Sequence, residues 1–171
     1  MPTPEVYCLP VEDLEPFLER RRYSAFALYR VHADAVLREI LSKANDFVPS
    51  SAGSILMDRP LERGLEPART SLYFVATFGS AGASLLGQSL QADRGVVGLV
   101  YRTGVSHRTE DPRSDPAFYG RFDETHAFST TGLVAVPIRI ERTVCGVLEL
   151  INRLDGQPYT QKDLDLLEIF A

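Results

Sequence analysis

Apolar residues recur at helical spacing early in the chain and in alternating or continuous runs further on. Between residues 24 and 44 they fall at i, i+3, i+4 and i+7, opposite a charged face, which predicts a long amphipathic helix. A shorter helix is predicted from Val11, after an irregular start rich in proline. The long stripe is wide but holds no sustained heptad, so core packing and a dimer seam both stay open.

Strands are predicted where β-branched and aromatic residues concentrate. Residues 54–58 and 70–78 have this content, and the segment between them contains the Pro and Gly of an antiparallel connection. A helix is predicted over 95–103, because Gly104 suits the left-handed position just beyond its end. A short strand is predicted at 105–108.

A polar, acidic segment from Glu110 to Thr131 separates this part of the chain from the last strands. So long a connection in a compact domain is commonly a binding loop or a lid. Within it, Asp115 is a suitable cap for a helical turn at 116–120. We therefore expect the segment to cover a binding site.

The end of the chain shows the clearest pattern. Two apolar runs at 132–140 and 143–152 predict a hairpin whose strands are largely buried on both faces. Thr160, with Asp163 three residues later, has the spacing of a capping box and opens a last helix. No Gly or Pro ends that helix, so we expect a piece of a larger protein with an output domain beyond the C-terminus.

Together these elements predict an α+β sandwich. Its central antiparallel sheet has about six strands, with the terminal helices on one face and the long loop with its short helices on the other. Residues 1–23 are expected to form a tail with a short helix, and residues 24–171 the domain.

Composition and charge argue against nucleic acid and membranes as partners of this segment. The chain has 171 residues, 44% of them hydrophobic, and a net charge of -5, which argues against a nucleic-acid partner for this segment. No apolar run is long enough to span a bilayer, and the N-terminus lacks a secretion signal, so no membrane partner and a cytoplasmic location are expected. Cys8 and Cys145 lie far apart without metal or redox spacing, and we expect both thiols to be free.

Candidate chemistry is concentrated in the long loop and the last hairpin. A planar heterocycle would stack on Phe118, Tyr119 or Phe128, and an anionic group would bind backbone N–H groups at the start of the 95–103 helix or of the short helical turn at Pro116. The alternative is that these aromatic residues only pin the loop to the sheet. Glu149 interrupts an apolar strand, so its carboxyl must either face water or find partners.

Catalytic and metal sites are not predicted. The acids of the loop and the three histidines lack the spacing of metal ligands, so no metal and no cofactor is expected. The chain has no nucleophile elbow and no phosphate loop ending in Gly-Lys-Ser. We therefore expect a binding module rather than an enzyme.

Five short motifs, in order along the chain, carry a resemblance to a known family. They are Gly95-x-x-Gly98 with Thr103-Gly104, Asp111 to Tyr119, Phe128-Ser-Thr with Val136-Pro137, Gly146 to Asn152, and Tyr159 to Asp163. Over roughly residues 24–171 they resemble the GAF domain, a PAS-related regulatory sensor module attached to phosphodiesterases, cyclases, histidine kinases, phytochromes and transcription activators. The resemblance implies the sandwich fold described above.

The resemblance is closest to GAF domains of cyclic-nucleotide phosphodiesterases and cyclases, and it implies a set of site residues. With the stacking aromatic residues, the expected ligand-binding set is Phe78, Gly98, Phe118, Tyr119, His126, Phe128, Thr130 and Glu149. The matching residues Asn152, Arg153, Tyr159 and Asp163 imply a structural clasp across the last loop. Gly79 stands where cyclic-GMP-binding members carry an Asp that reads the guanine, and His126 where they carry a Thr. Cyclic-GMP specificity is therefore not implied.

These observations predict a small-molecule sensor that signals through its terminal helices as a homodimer. The alternative is a ligand-free dimerisation or interaction module whose pocket is filled by its own side chains. A cavity near Tyr119, His126 and Thr130 distinguishes the two.

Overall fold

One antiparallel sheet of seven strands forms the centre of the structure, a computed structural model that describes residues 3–18 and 33–171. The strands are β1 (Tyr7–Cys8), β2 (Ser50–Met57), β3 (Ser71–Phe78), β4 (Ser89–Gln91), β5 (His107–Thr109), β6 (Leu133–Ile140) and β7 (Thr143–Arg153). Their order is β1-β3-β2-β7-β6-β5. Strand β4 pairs with β3 on the same edge as β1, but at the opposite end of β3. The expected antiparallel α+β fold is confirmed.

Six α-helices pack around the sheet in the described ranges. They are α1 (Val11–Leu14), α2 (Ala33–Phe47), α3 (Gly82–Leu85), α4 (Gly95–Thr103), α5 (Arg121–His126) and α6 (Gln161–Glu168). Three short 3₁₀ turns complete the elements, at Glu15–Phe17, Pro67–Arg69 and Pro112–Ser114. None of these helices has both the length and the apolar content needed to cross a membrane.

Each face of the sheet carries its own hydrophobic core. On one face, Leu41 of α2 and Leu167 of α6 are buried against strand residues such as Leu148. On the other, Val97 and Val100 of α4 are buried against Leu56, Val147 and neighbouring side chains. This division follows from the central strands being apolar on both faces, and it places the terminal helices opposite the lid, the name used below for residues 110–131.

Several predicted boundaries are confirmed and others are wrong. Helix α4 and its left-handed Gly104, at φ 65°, agree with the prediction. The helical turn expected at 116–120 is wrong: Ala117 N–H does bond to the Asp115 carboxylate at 2.9 Å, but only a turn follows, and the lid helix is α5. Helix α6 ends at Glu168, before the end of the chain.

Three other differences concern helix α2 and two of the strands. The start expected for the long helix, from residue 24, lies outside the described residues, and the helix continues past Ala44 to Phe47. The tail expected to be irregular contains β1, because backbone pairing with β3 needs only two extended residues between prolines. Strand β4 is not among the strands predicted from the sequence.

Candidate ligand-binding site

A cavity lies between the sheet and the lid. The space in it that water can occupy is about 110 Å³, below the roughly 300–1,000 Å³ usual for sites that hold a drug-sized ligand, so a ligand of that size would require the lid to shift. Its walls come from β2, β3 and β7, from the turn α3, from the start of α4 and from the lid. The site is therefore assembled from elements distant in sequence.

The start of α4 gives one side of the cavity a positive potential. Gly95, Val96 and Val97 line the cavity, and no side chain caps the helix at Arg94. The first N–H groups of a helix lack intrahelical partners and carry the positive end of its dipole. Arg94 also lines the cavity, so a cationic guanidinium lies at the same end.

Arg94 is joined to the lid through Tyr119. Its Nη1 donates to the Tyr119 hydroxyl at 3.2 Å, and its guanidinium carbon lies 5.5 Å from the centre of the Tyr119 ring. Hydrogen bonds from Arg121 and from Arg94 hold the pKa of the Tyr119 hydroxyl below its ordinary value. Arg94, which lines the cavity, and Arg121 of the lid helix thus both donate to the same phenol.

Glu149 provides an acidic group on the sheet side. It lies on the central strand β7, opposite Ser54 of β2 and Ala135 of β6, and its side chain lines the cavity. Burial, with the nearby charge of Asp123, raises its pKa to about 7. No described residue donates a hydrogen bond to this carboxyl, which is half-buried on a central strand and faces the open cavity.

Asp123 has a different environment. Its two carboxylate oxygens accept hydrogen bonds from the backbone N–H and the hydroxyl of Thr130, both at 2.7 Å. These bonds join α5 to the last residues of the lid and hold the hydroxyl of Thr130, which is 5% exposed. Asp123 therefore positions the lid.

His126 presents an unsatisfied ring nitrogen at the lid helix. Its Nδ1 lies 3.3 Å from the Ser84 hydroxyl of α3, whereas its Nε2 is buried without a partner. The imidazole is parallel to the ring of Phe122 at 6.5 Å, and Phe122 in turn packs edge-on against Phe74 of the sheet. Buried ring nitrogens are normally hydrogen-bonded, so an unpartnered Nε2 beside the cavity is unusual.

Both ends of the lid are pinned. At one end His107 Nε2 lies 2.7 Å from Asp115 Oδ2; although burial opposes it, this contact and the Ala117 N–H hold the pKa of Asp115 below its ordinary value. At the other end Asn152, in the left-handed region at φ 55°, accepts from Thr131 N–H at 2.7 Å and donates to Ser129 carbonyl at 2.7 Å. The lid is thus closed over the cavity by polar contacts.

The expected clasp is present only in part. Arg153 Nη1 donates to Asp163 Oδ2, which also accepts from Thr160 N–H at 2.7 Å, so the last loop is bridged and α6 is capped. Tyr159 is buried separately, with its hydroxyl 2.8 Å from Ser50 Oγ. Asn152 does not join this cluster, because its amide is used to pin the lid.

Comparison with known proteins identifies the family. The family model for the GAF domain matches residues 31–171, which is most of the chain. The chain belongs to the GAF domain family. Cavity, lid and clasp all lie within the matched range.

Two kinds of relative support the assignment of this GAF domain. The probable 3′,5′-cyclic phosphodiesterase pde-5 of Caenorhabditis elegans is 33% identical over 78 residues, which cover 46% of the chain but only 11% of that protein. The solved structure of a methyl-accepting chemotaxis protein is 26% identical, with a TM-score of 0.63 over 80% of this chain and 82% of that one. The GAF domain of an Acinetobacter phosphoenolpyruvate-protein phosphotransferase shares the fold, with a TM-score of 0.62 and 18% identity over 95% of this chain and 88% of that one.

Most of the expected ligand-binding residues of the GAF domain meet at the cavity. Those that line it are Phe78, Phe118, Tyr119, His126, Phe128, Thr130 and Glu149. Gly98 does not, because it lies inside α4, where a Cβ would come within 2.6 Å of the Ala92 carbonyl oxygen. Its role is close packing of α4 on the segment before it.

Other lining residues of the GAF domain were not expected from sequence. Arg94 and Asp123 are polar residues beside the cavity, and Leu85 comes from α3. No role beyond the absence of metal-ligand spacing was assigned to Asp123, because no spacing along the chain relates it to Thr130. Arg94 carried a signal that could have been used, since it directly precedes a helix that lacks a capping side chain.

Proposed function

We propose that the chain is the regulatory, small-molecule-sensing GAF domain of a cytoplasmic signal-transduction protein. The observation that carries the proposal is the composition of the cavity wall. One side has a helix N-terminus and Arg94. The wall also contains Glu149 and His126, and neither the Glu149 carboxyl nor His126 Nε2 has a hydrogen-bond partner among the described residues. Buried polar groups are normally satisfied, so such groups in a cavity indicate a polar ligand.

The ligand chemistry follows from this arrangement. An anionic group would bind at the start of α4, where the free N–H groups and Arg94 offset its charge. A planar heterocycle would lie among Phe118, Tyr119 and Phe128 and donate a hydrogen bond to Glu149. A cyclic nucleotide has both parts, and the named activity of the Caenorhabditis relative is in keeping with that class.

The first test is a thermal-shift screen of the purified domain. The compounds are cyclic AMP, cyclic GMP, free purines, amino acids and α-keto acids. A compound present at one hundred times its dissociation constant should add about 2.7 kcal/mol of stability, or roughly 5–10 °C in Tm for a chain of this size. A shift shared by one chemical class identifies the ligand class.

Matched variants show whether a positive compound occupies the cavity. Phe128→Ala removes a lining ring and should abolish the shift. Phe47→Ala removes a ring of α2 that is 57% exposed and should leave the shift unchanged. A shift that survives Phe128→Ala and Glu149→Gln would place binding elsewhere and overturn the proposed site.

The proposed output runs through the terminal helices in a homodimer. Helices α2 and α6 lie side by side, with the rings of Phe47 and Phe170 5.5 Å apart. Val36 of α2 and Ile169, which directly follows α6, are 50% and 75% exposed, so apolar surface is available there for a dimer contact. Sedimentation equilibrium of wild type and Val36→Glu tests this part. A domain that is dimeric and binds nothing in the screen would favour the ligand-free module.

A further inference from the structure

Residues 3–17, called the strap below, precede the family match at 31–171 and yet form part of the domain. Tyr7 and Cys8 pair with Thr77 and Ala76 of β3, and Leu9 N–H bonds to the Val75 carbonyl at 2.9 Å. The strap also buries side chains in the core on the side of the terminal helices, namely Cys8 at 7% exposure, Leu14 at 1% and Phe17 at 4%. It is therefore docked by both backbone and side-chain contacts.

The strap touches the back of the cavity wall. Turn α3 contributes Gly82 and Leu85 to the cavity lining. From another side, the ring of Tyr7 packs so closely on α3 that a Cβ at Gly82 would lie 3.0 Å from Tyr7 Cδ2. Only the backbone of one residue thus separates the strap from the cavity at this point.

The strap also touches α2. The Arg38 guanidinium of that helix donates to the Val6 carbonyl, next to Tyr7. At its other end, Phe17 packs edge-on against Tyr73 of β3 at 5.4 Å, and the Arg59 guanidinium lies over both rings. The strap is therefore in contact with the cavity wall and with a terminal helix.

We propose that the strap is a separately opening unit that couples the cavity wall to helix α2, and that Tyr7 is the residue through which α3 and the strap act on each other. A two-residue edge strand with few hydrogen bonds opens at a lower free energy than the central sheet, so it can respond to a small displacement of α3. The role of this coupling in signalling rests on the proposed function. The coupling itself is a property of the unliganded domain.

Cys8 and Cys145 provide the measurement. Both thiols are buried in the same core cluster, but Cys8 lies on the strap and Cys145 on the central strand β7. Opening of the strap exposes Cys8 alone, whereas global unfolding exposes both. The rate of alkylation by iodoacetamide at each cysteine, followed by peptide mass spectrometry, separates the two events. We expect Cys8 to react at least tenfold faster than Cys145 in the wild-type domain.

A double-mutant cycle tests the contact between Tyr7 and Gly82. Gly82→Ala crowds the Tyr7 ring and should raise the ratio of Cys8 to Cys145 alkylation about fivefold, the usual size of a mild overpacking effect. In a Tyr7→Ala background the same substitution should change the ratio less than twofold, because the ring it meets is gone. Tyr7→Phe keeps the ring and should behave as wild type.

A second pair of variants tests the transmission from the cavity. Leu85→Ala loosens α3 on its cavity side and should raise the ratio about threefold or more, in the range of a partly buried leucine truncation. Leu90→Ala removes a lining leucine of β4, which is not part of α3, and should not raise the ratio; the global stability it costs exposes Cys145 more often and lowers the ratio instead.

Two results would overturn the proposal. Equal alkylation rates at both cysteines in every variant would mean that the strap opens only with the whole domain. A normal ratio in Gly82→Ala and Leu85→Ala would mean that the wall and the strap are not coupled. Because the experiment uses no ligand, its failure is distinct from failure of the thermal-shift screen, which tests the proposed function alone.

Discussion

The Tyr101 hydroxyl of α4 donates a 2.7 Å hydrogen bond to Oδ2 of Asp58, a carboxylate with no exposed surface at the end of β2. The same carboxylate accepts from Arg63 Nε at 2.8 Å and Nη2 at 2.6 Å. Burial, with the bond to Asp58, raises the pKa of Tyr101, so the phenol keeps its proton and stays a donor. Helix α4, whose start lines the cavity, is thus joined by this hydrogen bond to a buried carboxylate that is itself paired with Arg63.

Tyr101→Phe should lower the free energy of unfolding by about 1.5–3 kcal/mol, because it removes a hydrogen bond to a buried charged group. Urea denaturation measures the change. Tyr73→Phe is the matched control, since the Tyr73 hydroxyl has no hydrogen bond to a described residue, and it should cost less than about 0.5 kcal/mol. Equal costs for the two variants would show that the bond to Asp58 contributes little.

Glu149 should make the stability of the domain fall as pH rises. Its pKa of about 7 in the folded state exceeds the ordinary value of 4.5, so between these values the folded state holds a proton that the unfolded state has lost. The stability linked to the protonated form is complete below about pH 4.5 and is lost as pH rises through about 7. At pH 8 the free energy of unfolding should be about 2 kcal/mol lower than below pH 4.5. This is less than the full pKa shift of Glu149 implies, because its side chain is partly exposed at the mouth of the cavity.

Glu149→Gln removes this titration. We expect a flatter curve of unfolding free energy against pH between 5 and 8 than in wild type, measured by urea denaturation at each pH. The exposed acid Glu66 gives the control, since Glu66→Gln should leave the wild-type slope unchanged. A wild-type slope in Glu149→Gln would assign the dependence to other groups.

Fold elements with a strong local cause could be predicted from the sequence. The capping box at Thr160 and Asp163 and the left-handed Gly104 were recognised because each depends on residues within a few positions. Strand β1 and helix α5 were not recognised, because neither has a period or a cap of its own. Their conformation depends on tertiary contacts, namely pairing with β3 and closure of the lid over the sheet.

The same distinction applies to the cavity. Its aromatic and acidic lining, such as Tyr119 and Glu149, could be expected because the family motifs occur in order along the chain. The pairing of Asp123 with Thr130 and the contact of Tyr7 with Gly82 could not, since only the fold brings these residues together. Gly98 shows what a sequence motif cannot distinguish. A glycine required for close packing of two segments looks the same in the sequence as a glycine required for close approach of a ligand.

The Arg153 and Asp163 pair should be important for docking of α6. Asp163 is 6% exposed and accepts from Arg153, from Thr160 N–H and from the Thr160 hydroxyl. Asp163→Ala removes the capping box and leaves a partly buried guanidinium, so it should cost about 2–4 kcal/mol in urea denaturation. Asp165→Ala, at an exposed site on the same helix, should cost under about 0.5 kcal/mol. Similar losses of unfolding free energy in the two variants would show that the Arg153–Asp163 pair and the capping box contribute little to stability.

Gly146 allows β7 to lie against β2 without a side chain between them. A Cβ at this position would lie 2.3 Å from the Leu56 carbonyl oxygen, a backbone atom that can move only with its strand. Gly146→Ala should therefore cost about 3 kcal/mol or more, at the upper end of overpacking effects, or prevent accumulation of folded protein. Gly132→Ala is the matched control, because the nearest atom to its added Cβ is 3.6 Å away, an ordinary contact. It should leave the unfolding free energy within about 1 kcal/mol of wild type. If Gly146→Ala unfolds at the wild-type urea midpoint, β2 and β7 must be able to separate locally, and the cavity wall they form is more deformable than the packing implies.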